Sequence, residues 1–282
     1  MHDAIGQRDV GVQVGRHQCG DRVSSRRMAL RVGLIGLGTI GSGLLALLGP
    51  ADDIEIVGAL VRRPRADRVP TLTALADLLS MQPEVVVEMA GHDALRCHGP
   101  HVLRAGVDLV ILSVGALADP HLEAEIIVAA RAGDSQAIVA SGAIGGLDAI
   151  GAAAIGGLER VTHTTRKPAR ALLPIGEAVA LREPRELFRG TAREGALRFP
   201  ENINVAAAVS LAGIGLDRTE VCVVADPALE RNTHEVVAHG TFGELRFEIR
   251  GFPSDDNPRT GRIVAMSVVR TLRRLRAPLV IG

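Results

Sequence analysis

The chain has 282 residues, with 32 basic and 32 acidic side chains, enough length for two domains of ordinary size and a substantial core. Zero net charge removes the electrostatic case for nucleic acid or for an anionic membrane surface, so a small-molecule ligand is the expected partner. With five Phe and neither Trp nor Tyr, the core must be built from Val, Leu, Ile and Ala; the three scattered cysteines, Cys19, Cys97 and Cys222, fit a reducing cytoplasm and offer neither a disulfide framework nor a metal site.

Residues 1–27 mix charged and small polar residues without an apolar stretch. They read as a disordered N-terminal extension, neither secretory signal nor core element, with Met28 as a candidate start of the functional protein. Val32–Ile35 is an apolar run of strand length, and the leucines from Thr39 onward are spaced for a helix face. Between them Gly36, Gly38 and Gly41 form a G-x-G-x-x-G turn. One glycine reverses the chain, one lets a pyrophosphate approach the backbone, and one lets helix and strand pack closely. Thr39 and Ile40 open the helix, whose unpaired N–H groups face the phosphates. The uncharged stretch Val32–Pro50 has the length of a membrane span, but its glycines and phosphate turn argue for a nucleotide site instead.

Ile54–Val61 alternates as a second strand. Where an NAD-specific site carries an acid for the ribose hydroxyl, this chain has Arg62 and Arg63, and an arginine there neutralises a 2′-phosphate; NAD and NADP both stay open, with a lean to NADP or dual use. Leu72–Leu79 has helical spacing, Val85–Glu88 is a buried type of strand, Pro100–Ala105 belongs to a helix, and Val107–Leu112 is a fourth strand. The helix Pro120–Ala132 and the strand Ala137–Ala140 complete an open parallel sheet and lead into a second glycine-rich turn, Ser141–Gly146. That turn sits against the nicotinamide or marks the crossing into a second domain.

From Leu147 the pattern changes. Arg160–Thr165, Glu186–Thr191, Glu220–Ala225, His234–His239 and Thr241–Ile249 read as strands, the last two joined by a turn at Gly240, with a small-residue helix at Val205–Leu211. Asn257–Leu275 recovers helical spacing and is expected to pack back on the first domain. The fold class is therefore α/β: a Rossmann-type doubly wound parallel sheet, with a second α+β domain built on a mostly antiparallel sheet. The expected division is a dinucleotide-binding domain of residues 28–146, completed by 253–282, and a substrate or catalytic domain of 147–252.

Several phrases together are specific. Ser113–Asp119 (SVGALAD), Ser141–Asp148 (SGAIGGLD), Arg166-Lys167-Pro168, Glu201–Ala207 (ENINVAA), Leu211–Arg218 (LAGIGLDR), Ala225-Asp226-Pro227 and Asn232–Glu235 (NTHE) resemble the L-aspartate dehydrogenase family, over nearly all of Met28–Leu275. The resemblance implies an NAD(P)-dependent enzyme that interconverts L-aspartate with iminoaspartate, or oxaloacetate plus ammonia, often feeding NAD biosynthesis and usually as a homodimer. It also implies that His234 is catalytic and that Asn204 and Ala143 lie at the cofactor. Two stretches depart from the family: Ala169–Ile175, where an aromatic and a G-T turn are usual, and Asn257–Gly261 (NPRTG), where N-P-K-T-S is usual.

The chemistry adds its own requirements. A histidine suits proton exchange near neutrality, which fits His234, with His92 after the VVVEMAG segment as a second candidate. A dicarboxylate needs cationic donors, and Arg166 and Lys167 are adjacent cations in the second domain. Asp226-Pro227 either orients His234 or forms a turn. Histidines and cysteines do not cluster at ligand spacing, so no metal is expected. Two other readings compete: a related two-domain NAD(P)-dependent reductase of another oxo acid or imine, and a nucleotide-binding sensor without turnover.

Overall fold

A computed structural model describes residues 29–49, 53–64, 66–199, 203–252, 254 and 260–281. The N-terminal extension, Met28, Glu201, Asn202 and residues 257–259 lie outside them.

The first half alternates strand and helix: β1 (Leu30–Ile35), α1 (Thr39–Leu47), β2 (Ile54–Leu60), β3 (Thr71–Leu72), α2 (Leu75–Ser80), β4 (Val85–Glu88), α3 (His92–Arg104), β5 (Asp108–Ile111), α4 (Pro120–Gly133) and β6 (Ala137–Val139). The strands form one parallel sheet in the order β3-β2-β1-β4-β5-β6. The strand order reverses between β1 and β4, so a ligand crevice opens beyond their carboxyl ends. Leu72 belongs to the short strand β3, and the helix expected from Leu72 begins only at Leu75. The helix expected to hold Pro100–Ala105 runs from His92 to Arg104, with Ala105 as its cap, and keeps Pro100 inside it. Buried Leu95, Val102 and Leu103 anchor that helix against the sheet, and this packing outweighs the local cost of the proline.

The second half follows as α5 (Leu147–Gly156), β7 (Leu158–Pro168), α6 (Ala169–Leu172), α7 (Ile175–Ala180), β8 (Arg185–Thr191), α8 (Ala192–Arg198), α9 (Asn204–Ala212), β9 (Glu220–Asp226), β10 (Asn232–Gly240) and β11 (Gly243–Gly251). Its sheet runs β11-β10-β7-β9-β8 and is antiparallel except where β7 meets β9. The expected turn at Gly240 is displaced: Gly240 still pairs with Gly243, and Thr241 and Phe242 make the reversal. Gly240 is needed because a side chain there would run into the carbonyl of Gly157, while Gly243, at φ +115°, carries the left-handed backbone.

The last helix, α10 (Ile263–Arg276), packs along α1 and places Val268, Val269 and Leu272 in one apolar cluster with Val32 and Leu34 of β1. A second cluster joins the two halves: Ala206, Ala207 and Ala208 of α9 meet Val114, Ala116 and Leu117, which form a 3-10 turn after β5. In a chain so poor in aromatics, alanines let these elements approach closely and still exclude water.

Candidate active site

The glycine turn stands at the end of β1. Gly36 has φ +92°, and an added Cβ would lie 2.9 Å from the Cβ of Ala90, which follows β4. A Cβ on Gly41 would lie 3.2 Å from the carbonyl of Gly36, so that glycine lets α1 sit close to the turn. By contrast, a Cβ on Gly38 would meet nothing within 4 Å. Space is therefore kept open at Gly38, just before the unpaired N–H groups of α1. This cradle fits a pyrophosphate.

The last residue of β4, beside β5, is an unanticipated buried acid, Glu88. Its Oε1 accepts from the N–H groups of Ala90 (2.8 Å) and Gly91 (3.0 Å) and from the Ser113 hydroxyl (2.9 Å); its Oε2 accepts from the Ser113 N–H (3.1 Å). Burial pushes this carboxyl up from the usual range, while the four hydrogen bonds oppose that shift. Glu88 thus ties together the two loops that bound the crevice. From the other half, Asn204 at the start of α9 accepts the Gly115 N–H on Oδ1 at 2.8 Å, which fixes the amide with its NH₂ group free of that contact. Gly115 cannot be larger, since its Cβ would lie 2.7 Å from Ile203, 3.0 Å from Asn204 Oδ1 and 3.0 Å from His92 Nε2.

Asn204 lines two cavities. One lies towards Arg62, Gly91, His92 and Ser113, at the end where β2 and β4 finish. The other has a volume of about 140 Å³ and lies between Ile40, Ala143, Asn204, Lys167, Asn232 and His234. That is near the volume which, in an engineered core, holds one benzene-sized guest. Thr260, Gly261 and Ile263 also reach it, whereas Ala169–Leu172 form α6 away from its lining.

The polar wall of this second cavity follows from strand alternation. On β7, His163, Thr165 and Lys167 share one face and are all buried; Arg166 falls on the opposite face and is exposed. The adjacent cations expected together at the substrate are therefore separated: Lys167 lines the cavity and Arg166 does not. Across the ladder His234 sits opposite Thr165. Its Nδ1 lies 3.1 Å from Thr165 Oγ1 and 3.3 Å from His163 Nε2, and the two imidazoles are nearly parallel, at 11°. Burial, then His163, then Lys167 push His234 well below the ordinary histidine range; burial and Lys167 push His163 down to about 4. Both rings are neutral at neutral pH.

Other residues singled out in the sequence divide by position. Ala143 and Ile40 line the cavity with His234, Thr39 is the first residue of α1, and Arg62 is exposed at the far cavity. His92 begins α3, on the far side of Asn204 from His234. Asp226 accepts the Ala228 N–H at 2.9 Å, which makes it a turn residue. Among the described residues no cluster of His, Cys, Asp and Glu could hold a metal, and no helix is long and apolar enough to cross a membrane. Sequence reading missed His163 and Thr165, whose signal was their two-residue spacing ahead of Lys167. It also missed Glu88, a lone acid closing a run of valines.

Comparison with known proteins points to one family. Residues 148–275 match the family model for the C-terminal region of aspartate dehydrogenase, and residues 36–140 match that for the NAD-binding domain of homoserine dehydrogenase. The chain is 44% identical over 267 residues to L-aspartate dehydrogenase 2 of Bordetella bronchiseptica, covering 90% of this chain and all of the other. It is 42% identical over 270 residues to L-aspartate dehydrogenase of Ruegeria pomeroyi, covering 92% and 95%. Among solved structures, aspartate dehydrogenase of Thermotoga maritima superposes with a TM-score of 0.75 at 28% identity, covering 90% of this chain and 99% of that one.

Proposed function

Because the chain belongs to the L-aspartate dehydrogenase family, we propose that it interconverts L-aspartate with iminoaspartate, and through water with oxaloacetate and ammonia, using NAD or NADP and working at the cavity of His234. The observation that carries this reading is a neutral histidine held by its inner nitrogen against Thr165. Its ring faces a small cavity shared with a lysine and with residues of the nucleotide-binding half.

When bound, the nicotinamide takes or supplies the hydride at the substrate α-carbon. The chain's own residues do the rest. Gly36, Gly38 and Gly41, with the first N–H groups of α1 at Thr39 and Ile40, hold the pyrophosphate. Asn204, fixed by Gly115, and the small side chain of Ala143 orient the nicotinamide end beside His234. Lys167 provides a positive charge for a substrate carboxylate. The cavity-facing nitrogen of His234 handles hydrogen at the substrate: it can donate to the oxo oxygen of oxaloacetate or accept from the water that attacks iminoaspartate. Arg62, at the end of β2 where an acid would favour NAD, suits a 2′-phosphate and hence NADP.

Residues 28–146 with 253–282 form the dinucleotide-binding domain in this reading, and 147–252 the catalytic one; the packing of α10 on α1 supports that division. A homodimer in a cytoplasmic setting, where iminoaspartate would feed NAD biosynthesis, completes this reading; the free thiols of Cys97 and Cys222 support that setting.

The test is the oxidation of NADH and of NADPH with oxaloacetate and ammonia. Turnover should require both substrates and fall about 10²–10⁴-fold in His234→Ala. Turnover on another oxo acid alone would replace the substrate assignment, and cofactor binding without any turnover would leave a nucleotide sensor.

A further inference from the structure

We infer that His163 is a positioning residue which holds the proton of neutral His234 on Nε2, so that His234 meets the substrate as a hydrogen-bond donor. This deepens the proposed role of His234 and rests on it.

The inference starts from the buried pair on β7 and β10. His163 is fully enclosed, and only one of its nitrogens has a partner: Nε2 lies 3.3 Å from His234 Nδ1, while Nδ1 has no hydrogen-bond partner among the described residues. A second proton on this ring is excluded at neutral pH, because burial and Lys167 both oppose it. His163 therefore carries one proton, on either Nδ1 or Nε2. On Nδ1 it would be a buried N–H with nothing to accept it, the rarer and costlier kind of orphan. On Nε2 it points at His234. His163 is then the donor and His234 Nδ1 the acceptor, so a neutral His234 keeps its own proton on Nε2, towards the cavity.

Thr165 does not decide the matter. Its hydroxyl, 3.1 Å from the same Nδ1, rotates to donate or accept, and follows whichever tautomer His163 imposes. Among the described residues no other titratable group lines this cavity: β7 presents His163 and Lys167 to His234, while the walls contributed by β11, α9 and α10 present Ile249, Val205 and Val264. A neutral Nε2–H aimed at the cavity stabilises negative charge developing on a substrate oxygen without being titrated itself. Accepting a proton from water would first require His234 to change tautomer and give up the bond from His163.

The experiment uses the full chain labelled with ¹⁵N-histidine, with the His234 resonances among the nine histidines identified by their loss in His234→Gln. At neutral pH, His234 should show a bare Nδ1 and a protonated Nε2. In His163→Leu, which keeps the volume and removes the donor, that preference should be lost. The kcat for reductive amination of oxaloacetate with ammonia should fall about 10–100-fold with the cofactor KM unchanged, and the pH limb set by His234 should move to higher pH. His163→Gln, which restores an N–H near the position of Nε2, should recover most of the rate and the tautomer. A wild-type His234 protonated on Nδ1 overturns the inference, as does an Nε2–H population unaltered in His163→Leu. If His163→Leu fails to fold, His163→Gln carries the test, since it should keep both the rate and the Nε2–H tautomer, and a wild-type His234 protonated on Nδ1 still overturns the inference. Full turnover by His234→Ala is a separate failure: it would remove the catalytic reading of His234 and leave the tautomer measurement standing.

Discussion

A histidine sealed from water resists its second proton, and the cost reappears as pH-dependent stability. His163 has an ordinary proton affinity in the unfolded chain, near 6.5, and one pushed down to about 4 in the folded chain. Above 6.5 both states are neutral and nothing is lost. As pH falls from 6.5 towards 4, the unfolded chain takes up a proton that the folded chain refuses, so stability declines through that window by about 3 kcal/mol, and His234 adds to the loss in the same direction. Urea midpoints at pH 7 and pH 5 should show this decline, and His163→Leu should reduce it; an equally steep decline in the variant would mean that the protons bind elsewhere. These are also the residues that sequence reading saw least well. His234, Asn204 and Ala143 stand in phrases that resemble a known family, but His163 and Glu88 matter through partners 71 and 25 positions away in the chain, brought beside them only by the fold.

At the scale of one turn, the three glycines of the nucleotide site do different work and should fail differently. Gly36 combines a positive φ with a neighbour 2.9 Å from its absent Cβ, so Gly36→Ala should cost about 1–3 kcal/mol of stability, read from the thermal midpoint. Gly38 has φ −83° and open space around it, so Gly38→Val should leave the midpoint nearly unchanged while raising the cofactor KM at least about tenfold. Equal loss of stability in both variants would show that Gly38 is structural too. This turn was legible because its logic is local: strand, glycines and helix are contiguous. The start of α3 and the β10–β11 reversal were less legible, since buried leucines and the crowding of Gly157 against Gly240, both tertiary effects, decided them.

Across the whole molecule, one apolar cluster spans both halves through α9, and Asn204 reaches Gly115 from the other side of the crevice. A cofactor seated there would bridge the two halves and stabilise them together, by about 2.7 kcal/mol at a hundred times its dissociation constant. Melting curves should therefore shift as a single transition with either NADH or NADPH. In Arg62→Ala the shift with NADPH should shrink and that with NADH should persist; equal shrinkage would assign Arg62 to a part that the two cofactors share. The doubly wound sheet and the mixed sheet were both foreseeable from the change in periodicity near Leu147, because a buried parallel strand and a half-buried antiparallel one carry different apolar patterns.

The chain passes from the parallel sheet to the mixed sheet after β6 and returns before α10. Two bodies joined by one tether can swing in any direction, but two bodies joined at two points behave like a door on a pair of hinges. Rotation about the line through both joints is the one motion that two joints leave free, and here the packing of α9 against the turn after β5 opposes it, so the wall that carries His234 keeps a fixed bearing on Ala143.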